Sequence, residues 1–449
     1  VGIPEKSIDI VTNNQKARQG CIGVRLRHDI VFDTEELERF AFASWKPLIY
    51  DAMVVAASIE YADRIVLRPA SGWARSLSLS VPVNEYELWS SPEVMNSLHD
   101  AIRFLTGDCW NISFKMTTDS WKPSRETLLS LRMPVNSILA FSDGMDSHIV
   151  SRIMESEGEK LLRVRMKRGS SSQLRWRSNQ EEFVTVPYSL KFCGQNKTTS
   201  LRSRGFKFAM IGGIASYLTN VEYITIPESG QGAVGPALVP LGHMYPDYRS
   251  HPFFTKRMER LLKALFQRNF CFHFPRIWNT KGETLKEFTE LPGVTDTWKN
   301  TRSCWKDSRW SSVKKEHRQC GTCAACLFRR VSVHAAGLTE EANTYICTNM
   351  NASTFEAAVE PGFSKLTKAF KQHAIAGVLS MDNLSELANQ KFASSVQRQA
   401  MLLGYVLDIP RKEAEEKLTR LLYMHAQEWK GYVNSLGPES YIKKLVRWN

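Results

Sequence analysis

The sequence predicts an α/β protein: a doubly wound parallel sheet in the middle of the chain, a small mixed α/β domain before it and a helical region after it. Three observations predict this. Short apolar runs alternate with helical patterns between Asn136 and Ile226, as expected of a parallel sheet whose crossovers are helices. One of those runs opens directly into Ser142-Asp-Gly-Met-Asp-Ser147, a small polar turn leading from a strand to a helix. Farther on, Cys304 precedes Cys320-Gly-Thr-Cys323-Ala-Ala-Cys326, four thiols with the number and softness a tetrahedral metal site requires.

Taken in order, the elements give boundaries at 1–132, 133–354 and 355–449. In the first domain, Asp33 or Thr34 can cap a helix that carries Phe40, Phe42, Leu48, Met53, Val54 and Ala57. The alternation of Leu77, Leu79, Val81 and Val83 marks a strand within 74–88, followed by a helix over 92–105 and a strand over 110–116. The polar stretch from Thr117 to Lys122, closed by Pro123, is the expected linker. The central domain reads as strand 136–142, helix 147–156, strand 161–166, helix 205–219 and strand 221–226, with a Ser- and Arg-rich loop over 169–180. In the last region Leu384, Leu387, Leu402, Leu403, Val406, Leu418, Leu421 and Leu422 recur at helical spacing. Ile409-Pro410 breaks that run between two helices.

Composition narrows the class. A chain of 449 residues exceeds one ordinary core, and 43% hydrophobic residues with 12 Trp fit a packed globular protein. The best apolar stretch, 206–226, is interrupted by Lys207, Asn220 and Glu222, and the first residues carry no signal-peptide pattern. The expectation is a cytoplasmic protein without a membrane partner. Cys21, Cys109, Cys193, Cys271 and Cys347 are scattered singly, so the cysteines do not form a disulfide framework. The net charge of +13 suits a phosphate ligand, an acidic protein or RNA. The basic residues are spread along the chain, so nucleic acid is not the favoured partner.

The chemistry follows from three groups of residues. After a buried strand, the turn Ser142, Asp143, Gly144, Met145, Asp146, Ser147 points backbone N–H groups at one spot, where the helix dipole also favours an anion. Asp146 sits where a carboxylate can hold Mg²⁺ against phosphates. No Gly-Lys-Ser or Gly-Lys-Thr follows, which excludes the kinase-type P-loop. The second group, Cys304, Cys320, Cys323 and Cys326, gives a closed and therefore structural zinc site, with an iron–sulfur cluster as the alternative. In the third, Glu228 and Asp247 can bind a purine edge or a metal, while Arg202, Arg204 and Arg249 can clamp phosphate or carboxylate. Each taken singly is more often a surface ion pair or turn residue. Lys281, in Thr280-Lys-Gly-Glu283, is a candidate phosphate contact or simply the start of a helix.

The turn resembles the Ser-Gly-Gly-x-Asp-Ser signature of the PP-loop ATP pyrophosphatases, with Asp143 in place of the first Gly. From Ser142 through Arg204, Tyr245-Pro-Asp-Tyr-Arg249, Thr280-Lys281, the four cysteines and Arg329-Arg330, the order of motifs resembles the 7-cyano-7-deazaguanine synthases (QueC). The long first domain is similar to the enlarged QueC-like proteins of bacterial anti-phage operons, in the Qat system or in CBASS operons. The resemblance implies an adenine nucleotide alpha hydrolase-like sheet that binds ATP and Mg²⁺ beside a zinc site. It implies adenylation of the carboxylate of 7-carboxy-7-deazaguanine, or a related deazapurine, and transfer to an amine. In the defence branch that amine belongs to a partner protein encoded in the same operon. The catalytic set would be Asp146, Arg204, Asp247, Arg249 and Lys281, with Glu228 and the 142–147 turn binding the nucleotide. Other readings are nitrile-forming synthesis of 7-cyano-7-deazaguanine, a tRNA-modifying PP-loop enzyme, and a non-catalytic nucleotide-binding scaffold.

Overall fold

The computed structural model describes residues 5–12, 15–32, 46–69, 74–117, 135–165, 182–185, 188–192, 198, 201–240, 244–294, 296–306, 311–313 and 316–446. The chain divides into two compact units. One holds residues 1–142, 158–226 and 247–274, the other 143–157, 227–246 and 275–449. The architecture is mixed α/β with parallel sheets and a helical C-terminal region.

The first unit contains both large sheets. A four-stranded sheet runs in the order Ile22–Arg25, Glu5–Val11, Ser76–Val83, Cys109–Met116, and all its pairs are parallel. Leu77, Leu79, Val81 and Val83 are fully buried, as their alternation predicted. The strand expected within 74–88 stops at Val83, and Tyr86–Trp89 is a helical turn instead. The Asp51 carboxylate explains the stop. It accepts the N–H groups of Asn84 and Glu85 at 2.9 and 2.8 Å, removing them from the ladder. The strands Glu5–Val11 and Ile22–Arg25 carry no alternation clear enough to announce them. The helix Pro47–Ile65 begins with Pro in its first turn and is buried along most of its length. The proposed caps Asp33 and Thr34, the linker at Thr117–Pro123 beyond Thr117 itself, and the 169–180 loop lie outside the described residues.

The second sheet of this unit orders its strands Cys271–His273, Tyr223–Thr225, Ser137–Phe141, Leu161–Arg165, Glu182–Thr185, again all parallel. The first strand in sequence, Ser137–Phe141, is central, and the chain winds away from it in both directions. That order places a topological switch point between Ser137–Phe141 and Tyr223–Thr225, where open α/β sheets take ligands at their carboxyl ends. Helix Arg204–Thr219 packs against these strands. Its start is held by a buried ionic lattice: Asp63 accepts the Ser203 N–H at 2.8 Å and pairs with Arg75, which also binds Asp108 at 2.7 Å.

The second unit is helical. Ala324–Ala335, Lys368–Glu386 and Arg411–Ser435 enclose a core that includes Leu327, Val331, Phe370, Val378, Met381, Trp429 and Val433, and Lys281–Thr289 packs against Ala324–Ala335. The expected break at Ile409-Pro410 is present. Asp408 closes the helix Ala393–Leu407 in the left-handed region, and Pro410 precedes the next helix. Among the described residues no helix is long and apolar enough to cross a membrane.

Candidate active site and metal centre

Strand Ser137–Phe141 ends one residue before Ser142, and helix Met145–Ser156 starts with Gly144 as its N-cap. The short turn joins two elements anchored by buried apolar residues: Ile138, Leu139, Met145 and Ile149 are fully buried. Met145 therefore anchors the helix in the core. Asp143 is exposed, and its carbonyl accepts the Arg302 N–H at 2.7 Å. Among the described residues the non-glycine positions with positive φ are Arg27, Asn220, Gln267 and Asp408, and Asp143 is not one of them. Gly144 has φ of −80°. The turn thus needs no left-handed backbone at Asp143, and the departure from the Gly-Gly signature adds an exposed side chain and a negative charge.

Asp146 lies in the first turn of that helix and is 8% exposed. Its Oδ2 pairs with Lys281 Nζ, while its Oδ1 is buried without a hydrogen-bond partner. An orphaned carboxylate oxygen in a dry site is costly unless something positive or protic meets it. It fits a single-carboxylate Mg²⁺ site completed by water and phosphate. Lys281 is held from its own side by a capping box: the Thr280 hydroxyl accepts the Glu283 N–H at 3.0 Å, and the Glu283 carboxylate accepts the Thr280 N–H at 2.8 Å. Thr280-Lys-Gly-Glu283 is thus the start of a helix, and the partner of the Lys281 ammonium is the Asp146 carboxylate. Glu228, half-buried, follows strand Tyr223–Thr225 and belongs to the same unit as Asp146 and Lys281.

Asp247 and Arg249 belong to the first unit and bind each other. Arg249 Nε lies 3.2 Å from Asp247 Oδ1, and the Arg249 N–H reaches the same oxygen at 3.1 Å. Both are more than a third exposed, so the pair adds little stability. Gly205, next to Arg204, touches this loop: a Cβ there would fall 2.9 Å from the Arg249 carbonyl oxygen. Only a residue without a side chain lets the helix start approach so closely. Arg204 is exposed, with its guanidinium 5.4 Å from the Phe208 ring. The candidate residues therefore form two described groups, Asp146 with Lys281 and Arg204 with Asp247 and Arg249. His251, after the second group, serves as a helix N-cap, accepting from Phe253 N at 3.1 Å, and burial pushes its pKa down to about 3.

The four cysteines converge. One sulfur from each of Cys304, Cys320, Cys323 and Cys326 lies within 4.8 Å of the other three. The Cys320–Cys326 sulfur distance is 3.8 Å, close to the edge of a tetrahedron whose Zn–S bonds are about 2.3 Å. Backbone N–H groups of Cys320, Cys323 and Lys306 point at the sulfurs of Cys304 and Cys320 at 3.3–3.4 Å, as thiolates favour. Hydrogen bonds from Cys304, then Cys323 and Cys326, hold the Cys320 thiol well below its usual range. The donor set fits a zinc ion with no open position. Arg329, fully buried, ties the helix behind the site to the segment leading to Cys304, donating to Thr301 O at 2.9 Å and to Glu340 at 2.7 Å. Arg330 donates to Gly321 O at 3.1 Å and Cys347 O at 2.6 Å. Both arginines brace the metal centre.

Sequence reasoning missed Gln231, His425 and Glu428. Their signal was present: His425 and Glu428 continue the buried stripe of Leu418, Leu421 and Leu422 at helical spacing.

The family model of the queuosine biosynthesis protein QueC matches residues 241–337. This QueC-like segment holds Asp247, Arg249, Lys281 and all four cysteines, while Ser142–Ser147, Arg204 and Glu228 lie outside it. No curated protein and no solved structure matches the chain.

Proposed function

We propose that the chain is a QueC-like ATP-dependent ligase that adenylates the carboxylate of 7-carboxy-7-deazaguanine and passes the acyl group to an amine of a partner protein in antiviral defence. The observation that carries the reading is Asp146: buried at a helix start after a parallel strand, with one oxygen on Lys281 and the other unpartnered. That arrangement supports cleavage of ATP between its α and β phosphates. The substrate carboxylate oxygen bonds to the α-phosphorus and pyrophosphate leaves. The amine then attacks the acyl carbon, AMP leaves, and the amine proton passes to solvent. A bound Mg²⁺ would supply charge neutralisation on the phosphates. Asp146 Oδ1 would hold it, and Lys281 would turn to the leaving pyrophosphate. The QueC match at 241–337 and the four-cysteine centre support this class over other nucleotide-binding α/β proteins.

Incubation with ATP, Mg²⁺ and 7-carboxy-7-deazaguanine tests the first half-reaction, with AMP and pyrophosphate as the expected products. Intact-mass analysis with either ammonia or the neighbouring gene products identifies the amine. Absence of AMP in every mixture rejects the proposal, and a nitrile product from ammonia replaces it with the biosynthetic reaction.

A further inference from the structure

Lys281 is the first residue of its helix, and three residues outside that helix decide where the helix begins. The Lys281 N–H donates to Gln231 Oε1 at 2.8 Å. The Gln231 amide nitrogen donates to His425 Nδ1 at 2.8 Å and to Glu428 Oε2 at 3.4 Å. The other oxygen of Glu428 accepts the Thr280 hydroxyl proton, and that same hydroxyl accepts from Glu283 N. His425 closes the far end by donating Nε2–H to Met381 O at 3.0 Å. Every donor in this buried chain has an acceptor, and Gln231 uses both protons and its oxygen. The carboxylate also lies against the helix backbone, since a Cβ on Gly282 would sit 2.5 Å from Glu428 Oε1. A second contact follows one face of the same C-terminal helix: Arg420 pairs with Glu283 and donates to Trp278 O at 3.3 Å.

We propose that Glu428, carried by the C-terminal helix Arg411–Ser435, is a positioning residue for Lys281, acting through Gln231 and Thr280 to fix the helix start that aims its ammonium at Asp146. Glu428 and His425 lie well beyond the QueC-like segment, so a residue of that segment is set by an element outside it. Its consequence for turnover rests on the ligase reading above; the placement of Lys281 does not. The ionised carboxylate, which the folded chain holds above a pH of about 7, suits the role because both oxygens face donors. An amide in its place would turn an N–H toward either Thr280 or Gln231 and break the chain at that point.

Amine acylation of the full chain, followed by peptide mass spectrometry, reads the placement directly. Lys281 is paired and 10% exposed, whereas Lys412 is 90% exposed and serves as the internal reference. Glu428→Gln is expected to raise Lys281 labelling relative to Lys412 about fivefold, the ratio that accompanies loss of one net hydrogen bond. Glu428→Asp should bring it back toward the wild-type rate. Gln231→Leu should raise labelling as Glu428→Gln does, and it decides the matter if Glu428→Gln does not fold. Unchanged Lys281 labelling in either folded variant overturns the proposal. Weaker ATP binding accompanying the labelling change supports the link to catalysis. A wild-type protein that neither binds ATP nor forms AMP, but whose variants expose Lys281, would reject the ligase reading and leave the positioning role standing.

Discussion

Asp146 and Lys281 have side chains only 12% and 10% exposed, so their ion pair cannot be weighed as a surface contact. Removing one partner of such a pair strands the other charge, at a cost of about 3 kcal/mol, whereas replacing both with neutral groups costs much less. Asp146→Asn is therefore expected to lose about 3 kcal/mol in urea denaturation, and Asp146→Asn with Lys281→Met to recover most of it. If the proposed adenylation is the reaction, AMP formation should fall about 100-fold or more in both, because each lacks the carboxylate that would hold Mg²⁺. Additive stability losses would show that the pair is not a stabilising unit. Asp143 obeys a different logic. Its φ is negative and its side chain exposed, so Asp143→Gly relaxes no strain and costs at most about 1 kcal/mol in chain entropy. What it removes is a negative charge beside the expected pyrophosphate. The KM for ATP should drop a few-fold at low salt and converge with wild type as salt rises. An unchanged KM at low salt would mean that residue 143 faces away from the nucleotide.

At the scale of elements, the C-terminal helix shows what local pattern conveys. Leu418, Leu421 and Leu422 announced a buried face, and all three are buried. The same spacing placed His425 and Glu428 on that face, yet nothing near them in sequence names Thr280 or Gln231 as their partners. The cysteine centre was legible because thiol number and spacing are themselves the chemistry. The strand Glu5–Val11 was not, since its parallel neighbours, Ile22–Arg25 and Ser76–Val83, supply the pairing that its Glu-Lys-Ser-Ile-Asp sequence does not advertise. The buried pair also has a measurable pH signature. Burial raises Glu428 to about 7, with Glu283 adding to the rise and the bonds from Thr280 and Gln231 opposing it. Burial lowers His425 to about 4. Between the unfolded value of 4.5 and the folded value of about 7, the native state holds a proton on Glu428 that the unfolded chain has lost, so stability falls as pH rises. His425 acts oppositely between about 4 and 6.5, where the unfolded chain holds the proton and stability rises with pH. The two slopes nearly cancel in the wild type. Glu428→Gln should gain on wild type by about 3 kcal/mol from pH 4.5 to 7, and His425→Gln should lose ground over the lower window. Urea denaturation across that range checks both signs; curves parallel to wild type would contradict them.

At the scale of the whole molecule, the metal centre and the C-terminal helices share one core. Cys320, Cys323 and Cys326 pack with Leu327, Phe370, Trp429, Tyr441 and Val446, so the ligands and the last described residues are buried in a single cluster. Four sulfurs crowded within 4.8 Å in such a core cannot ionise together without a cation, and a zinc ion would replace their protons and tie the segment at Cys304 to the loop at 320–326. The purified protein should therefore carry one zinc per chain by elemental analysis, and Cys326→Ser should lose it. Chelation at neutral pH is expected to expose the four ligand thiols to a chromogenic reagent. Cys347 makes this a discriminating count. It is fully buried beside the site, and its N–H donates to Cys320 O at 3.2 Å, yet it is not a ligand. If zinc only ties the loop, Cys347 stays unreactive when the ligands become reactive. If the metal instead holds the whole cluster folded, Cys347 reacts together with them and the helical signal falls at the same chelator concentration. The burial of the ligands among residues as distant as Val446 favours the second outcome. Retention of zinc by Cys326→Ser, or iron and sulfide in place of zinc, would reject the four-cysteine zinc assignment.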